Sequence, residues 1–136
     1  MLGWTGVGIS ATANAITGNP RDFNECAGVQ SESHGIRARL CRWYGRNGGD
    51  ENPTVIVIDT PGFGNPAVSD EENLAYIQSM LCTLGRINKF IYCFNSVDAR
   101  LDENKTKIIS SLEAAIGSEH FFRHLILCGT HYNYSE

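Results

Sequence analysis

Met1-Leu2-Gly3-Trp4-Thr5-Gly6-Val7-Gly8-Ile9-Ser10-Ala11-Thr12-Ala13-Asn14-Ala15-Ile16-Thr17-Gly18 opens the chain, and its reading decides the fold. Gly3, Gly6 and Gly8 punctuate the start, and from Ile9 the composition turns helix-forming as far as Gly18. Glycine adopts positive φ without penalty and puts no side chain between its N–H and an approaching anion. A helix that begins straight after such a turn aims its unpaired N–H groups and the positive end of its dipole at the same point. The stretch therefore predicts an anion cradle, and Asn19-Pro20 predicts the end of its helix.

The composition bounds the rest. With 136 residues and 42% of them hydrophobic, the chain has room for one domain around one core. A net charge of −4 and a pI of about 5.5 argue against nucleic acid as a main partner, because counterion release needs a basic face. No run approaches the length of a transmembrane span and no signal segment opens the chain, which predicts a cytoplasmic protein. Cys26, Cys41, Cys82, Cys93 and Cys128 contain no C-x-x-C pair and read as free thiols, mostly in apolar stretches. His120 and His124 are helix-spaced but have no carboxylate or cysteine at ligand spacing, so a surface or loop role is the better reading.

Residues 21–35 are small and polar without periodicity and read as a loop. From Ile36 to Cys41 the pattern alternates, predicting a half-buried strand closed by the turn at residues 46–50; Arg37, Arg39, Arg42 and Arg46 read as edge protection rather than a docking patch. Thr54-Val55-Ile56-Val57-Ile58 is a β-branched run that predicts a strand buried on both faces. It ends at Asp59, and Asp59-Thr60-Pro61-Gly62 places a carboxylate and a glycine amide at the C-terminal end of an interior strand, where ligands of open α/β sheets bind. Ser69-Asp70-Glu71-Glu72 is a capping box ahead of a stripe of Leu74, Ile77, Leu81 and Leu84 that stops at Gly85. Phe90-Ile91-Tyr92-Cys93-Phe94 predicts another buried strand. Asp102 caps a helix whose stripe is Leu101, Ile108, Ile109, Leu112 and Ile116, ended by Gly117. Leu125-Ile126-Leu127-Cys128 predicts a third buried strand, running into Gly129-Thr130-His131-Tyr132-Asn133. Strands alternating with helices predict a three-layer α/β fold with a mostly parallel sheet.

Against the P-loop pattern G-x-x-x-x-G-K-[ST], Gly3, Gly8 and Ser10 are in register and Ile9 stands where the lysine belongs. The longer pattern Gly3-x-Thr5-Gly6-Val7-Gly8-x-Ser10-Ala11-Thr12-x-Asn14-x-Ile16-x-Gly18 resembles the first motif of the AIG1/IMAP family of P-loop GTPases. Asp59-Thr60-Pro61-Gly62 resembles that family's third motif, and the stretch from Arg100 to His131 resembles its helix and strand before the base-reading motif. The resemblance implies a G domain that binds GTP or GDP with Mg²⁺. It places Gly3, Thr5, Gly6, Val7, Gly8, Ile9, Ser10, Ala11 and Gly62 at the phosphates, and Ser10, Ser33 and Asp59 at the metal. Thr130, His131 and Asn133 fall at the guanine base. It further implies side-by-side assembly of G domains and peripheral contact with membranes.

The departures set the expected activity. Trp4 and Ile9 both stand where the family pattern has lysine, so no positive side chain remains from residue 3 to residue 18. Losing one charge-assisted bond to phosphate removes about 1.5–3 kcal/mol, roughly tenfold to more than a hundredfold in affinity. Hydrolysis suffers further, because the lysine also steadies charge on the departing phosphoryl group. At the base, Asn133 supplies one acceptor where a carboxylate accepts from two N–H groups, which loosens guanine preference. The expectation is weak or absent hydrolysis, with a nucleotide-free interaction module, a pseudo-GTPase, as the alternative. Only Met1 and Leu2 precede Gly3, and the chain stops just past the base motif. The expectation from these ends is a partial G domain without its first and last strands, whose Val55 and Phe90 strands lack the partner between them.

Overall fold

The computed structural model describes residues 1–23, 36–44, 50–66, 68–97, 100 and 102–132. In chain order these form β1 (Leu2–Gly3), α1 (Ile9–Thr17), β2 (Arg37–Arg42), β3 (Thr54–Asp59), α2 (Asp70–Leu84), β4 (Phe90–Asn95), α3 (Glu103–Ile116), α4 (Ser118–Arg123) and β5 (Leu125–Thr130). Aromatic and branched residues suit the pleated backbone of β4, and their alternation feeds two cores. Phe90 and Tyr92 point to one side, where they meet Leu2, Phe63, Ile77 of α2, Ile108 and Leu112 of α3, and Phe121 of α4. Ile91 points to the other, against the cluster of Ala13 and Ile16 of α1, Phe23 and Val57. The result is a three-layer α/β arrangement.

β1, β4 and β5 form a parallel sheet in that order, with Leu2 opposite Tyr92 and Cys93 opposite Cys128. β2 and β3 pair antiparallel, Leu40 opposite Ile56. The partner expected to be lacking between β3 and β4 is present as β1, two residues long. It holds β3 only by its tip: the Met1 ammonium donates to the Ile58 carbonyl at 2.6 Å, and the Thr60 hydroxyl donates to the Met1 carbonyl at 2.7 Å.

Helix ends follow the sequence closely. The Ser69 hydroxyl accepts from the Glu72 amide and the Glu72 carboxylate accepts from the Ser69 amide, completing the capping box. Asp102 accepts from the Lys105 amide at 2.8 Å, and this bond is the main reason its carboxyl lies below the usual range. Gly18 and Gly85 end α1 and α2 at positive φ. α4 was not read from the sequence; it begins directly after Gly117 and exists to bury Phe121 completely.

Three burial expectations are corrected. β3 is not buried on both faces, since Ile56 is 58% exposed. β2 leaves its apolar side outward, with Leu40 at 72%. β5 is not a buried strand, since Leu127 is 66% exposed. The causes differ: α2 reaches only the Ile58 end of β3, leaving a groove of about 360 Å³ lined by Ile36, Ala38, Ile58, Tyr76, Met80 and Leu84, whereas β5 is an outer strand, paired on one side only among the described residues. Arg39 and Arg42 lie near Asp22 and Asp50, consistent with an edge role. Of the described cysteines, Cys93 is buried, Cys41 and Cys128 are half-buried and Cys82 is exposed, all as free thiols, while Cys26 lies outside the described residues. Burial pushes the Cys93 thiol up to about 11. Among the described residues no cluster of His, Cys, Asp and Glu forms a metal site, and no helix is long and apolar enough to cross a membrane.

Candidate functional site

Gly6 and Gly8 have φ of 82° and 86°, the left-handed conformation that only glycine adopts freely, and the turn between them delivers the chain into α1. Gly8 is the N-cap and no side chain caps the helix, so the first-turn amides face outward unclaimed by a side chain. Gly3 has no room for a side chain: a Cβ there would lie 2.7 Å from the Cys93 carbonyl oxygen and 3.2 Å from Ile9 Cγ1. Ile9 thus packs inward beneath the turn, 6% exposed. An apolar side chain so placed offers nothing to an anion.

From the first turn of α1 the Ser10 hydroxyl donates to Asp59 Oδ2 at 2.8 Å. The other carboxylate oxygen, Oδ1, is buried with no hydrogen-bond partner. Burial raises the Asp59 pKa, opposed by the Ser10 bond, by the charges of the Met1 ammonium and Arg37, and by the nearby Thr60 amide, which makes no hydrogen bond to Oδ1. An unpartnered buried carboxylate oxygen is costly unless something positive meets it. A hydroxyl and a carboxylate in contact at the mouth of an anion cradle are the oxygen donors that a hard divalent cation takes, so these residues fit Mg²⁺.

The segment after Asp59 is bound to the opening turn. The Thr5 amide donates to the Phe63 carbonyl at 2.7 Å and the Phe63 amide to the Gly3 carbonyl at 3.0 Å. A Cβ on Gly62 would lie 2.7 Å from Thr5 Cα. On the other flank the Thr130 hydroxyl reaches the carbonyls of Val7 and Phe94, donating its one proton between them, and His131 Nε2 lies 3.4 Å from the Gly6 carbonyl. His131 itself has φ of 54°, an uncommon conformation for a residue with a side chain.

The structure therefore brings the glycine turn, Ser10, Asp59, Gly62, Thr130 and His131 to one edge of the sheet. Ser33 and Asn133 lie outside the described residues. Asn14, part of the opening motif, serves the scaffold: 4% exposed, it donates to the carbonyls of Pro20 and Phe23 and accepts from the Phe23 amide. Sequence reasoning missed Phe63, which is fully buried, and Asn73, which donates to the Pro61 carbonyl at 2.9 Å. A signal existed for Asn73: it falls four residues before Ile77, on the core face of α2, where a polar residue is out of pattern.

The fold is shared with a solved protein. A dimerization-deficient mutant of Toc33 from Arabidopsis thaliana matches with a TM-score of 0.69 at 23% identity, over 99% of this chain and 50% of that one. The chain thus spans about half the length of that relative, and the likeness is one of fold. No curated protein sequence matches the chain significantly. The AIG1 family model matches residues 1–136, and the chain belongs to the AIG1 family.

Proposed function

We propose that this chain is a guanine-nucleotide-binding G domain that holds GTP or GDP with Mg²⁺ at residues 3–11 and hydrolyses GTP slowly or not at all. The observation that carries the reading is Asp59, with one oxygen on the Ser10 hydroxyl and the other buried and unpartnered, beside a left-handed glycine turn at an uncapped helix start. The amides of Gly6, Gly8, Ile9, Ser10 and Ala11 bind phosphate oxygens, and the positive end of α1 supports them. Ser10 and Asp59 hold Mg²⁺, with Ser33 as a further hydroxyl by the family pattern. When bound, the ion neutralises charge between the phosphates. Gly62 offers its amide to the terminal phosphate. Thr130 steadies the loop, while His131 and Asn133 serve the base.

Slow turnover follows from Ile9, since a buried isoleucine cannot offset the charge that develops on the leaving phosphates. The same residue and Trp4 favour a second reading, an interaction module that keeps the fold without nucleotide. Titration with a fluorescent GTP analogue separates the two. The expected dissociation constant lies between about 10 μM and about 1 mM with Mg²⁺, and Asp59→Asn removes the dependence on Mg²⁺. Binding weaker than about millimolar leaves only the module. The Toc33 mutant is described as dimerization deficient; we extend to this chain a homotypic contact between G domains, tested by sedimentation with and without nucleotide.

A further inference from the structure

The segment of residues 60–64 is held from two sides. On one side it lies on the opening turn: Phe63 exchanges backbone bonds with Gly3 and Thr5, and Trp4 forms an isolated parallel bridge with Phe63. The Trp4 indole lies against one side of Gly64, which is exposed on the other, has φ of 70° and leaves no room for a Cβ beside ring atoms Cε2, Cζ2 and Nε1. On the other side stands the first turn of α2. Asp70 Oδ1 accepts from the Gly64 amide at 2.7 Å and Asn73 Nδ2 donates to the Pro61 carbonyl at 2.9 Å. Asn73 is 1% exposed and its Oδ1 has no partner. Burying an amide with half its bonding unmade is unfavourable, and what Asn73 gains is the hold on Pro61.

We propose that Trp4 and Asn73 are positioning residues that fix Gly62 against the phosphate loop, so that residues 60–64 keep one position whichever nucleotide is bound. A segment that switches needs two arrangements close in free energy, and a ligand selects between them only by its differential contacts. Here a terminal phosphate offers Gly62 one hydrogen bond. Displacing residues 61–64 breaks four, parts Gly64 from the Trp4 ring and withdraws the fully buried Phe63 from the core. The single contact cannot outweigh those losses. The inference rests on the nucleotide reading for its consequence: a partner that reads α2 does not distinguish GTP from GDP.

Site-resolved hydrogen exchange tests it on the full chain, alone and with Mg²⁺ plus GDP or a non-hydrolysable GTP analogue. The Phe63 and Gly64 amides are expected to show the same protection in all three states. In the free protein, Asn73→Ala and Trp4→Ala each lower that protection by about tenfold, the loss of one typical bond, while the Ile77 amide is unchanged. Asp70→Ala, at a half-buried position, is the milder variant should Asn73→Ala not fold; it lowers protection at Gly64 and not at Ile77. In a Trp43→Phe background, Trp4 emission shifts to the red in Asn73→Ala and is the same with either nucleotide. A tenfold difference between the GDP and GTP-analogue states overturns the proposal, as does unchanged protection in the free variants. Failure of nucleotide binding shows in the titration instead and leaves the free-protein arm decisive.

Discussion

The two ends of the strand layer, the three-stranded sheet and the β2–β3 pair beside it, are built differently. At the C-terminal edge, β1, β3, β4 and β5 converge on the opening turn through bonds between residues distant in sequence, from Met1 to Ile58, Thr5 to Phe63, Ser10 to Asp59 and Thr130 to Val7. At the opposite end, among the described residues, residues 54–57 pair only with β2, Phe90 and Ile91 pair only with β5, and Leu40 and Ile56 lie exposed. Long-range hydrogen bonds are therefore concentrated where the candidate ligand site lies. Usually a binding edge is the loosely held part of an α/β domain, because loops carry it. Here the loops are tied to each other through backbone bonds, while the opposite end relies on side-chain packing such as Phe90 on Phe121.

The largest expected contrast comes from truncating side chains at each end. Phe63→Ala is expected to cost about 3–5 kcal/mol in urea unfolding, the range for a fully buried aromatic. Leu40→Ser at the exposed end is expected to stay within about 0.5 kcal/mol. Comparable losses at both positions would break the contrast. Next in size, Ile9→Lys tests what the tight edge lacks. Nucleotide affinity is expected to rise roughly tenfold to a hundredfold, read by the same fluorescent titration. If phosphate release stays flat in that variant while binding improves, the missing charge does not limit turnover, and a basic group supplied by a partner, as an arginine finger is, becomes the remaining route to hydrolysis.

Ser69→Ala removes the cap from the helix that clasps residues 61–64 and is expected to cost about 1 kcal/mol in thermal unfolding. The smallest effect concerns pH. Burial lowers the pKa of the Met1 ammonium below its ordinary 8.0, with Asp59 acting in the opposite direction. Between the lowered value and 8.0 the unfolded chain holds a proton that the folded chain has released, so stability rises with pH through that window and falls as pH drops through the folded value. Acetylating the amine removes this slope, measured as the unfolding midpoint in urea across the window. A slope that survives acetylation would place its origin elsewhere.

Much of the site edge was legible in the sequence because its signals are local. Gly6 and Gly8 adopt the positive φ that the turn demands, Ser69 and Glu72 close their box, Asp102 caps α3, and Ser10 meets Asp59 as the paired motifs imply. Each depends on a few neighbouring residues or on a fixed strand-to-loop order. The errors fall where burial depends on what a distant element covers. The β-branched run of β3 reads as interior, yet Ile56 is exposed because α2 stops short of it. Leu127 fails too, at the outer strand.

The sequence by itself determined the local grammar: the glycine turn, the helix starts and stops, the carboxylate at a strand end and the absence of a phosphate lysine. These follow from backbone conformational preference and side-chain chemistry within a few residues. Only the tertiary structure decided that Ile9 turns inward under Gly3 beside the Cys93 strand, that Trp4 lies against Gly64, and that Asn73 reaches Pro61. Such contacts join different elements of the fold. Their existence depends on how the layers stack, which no short window of sequence contains.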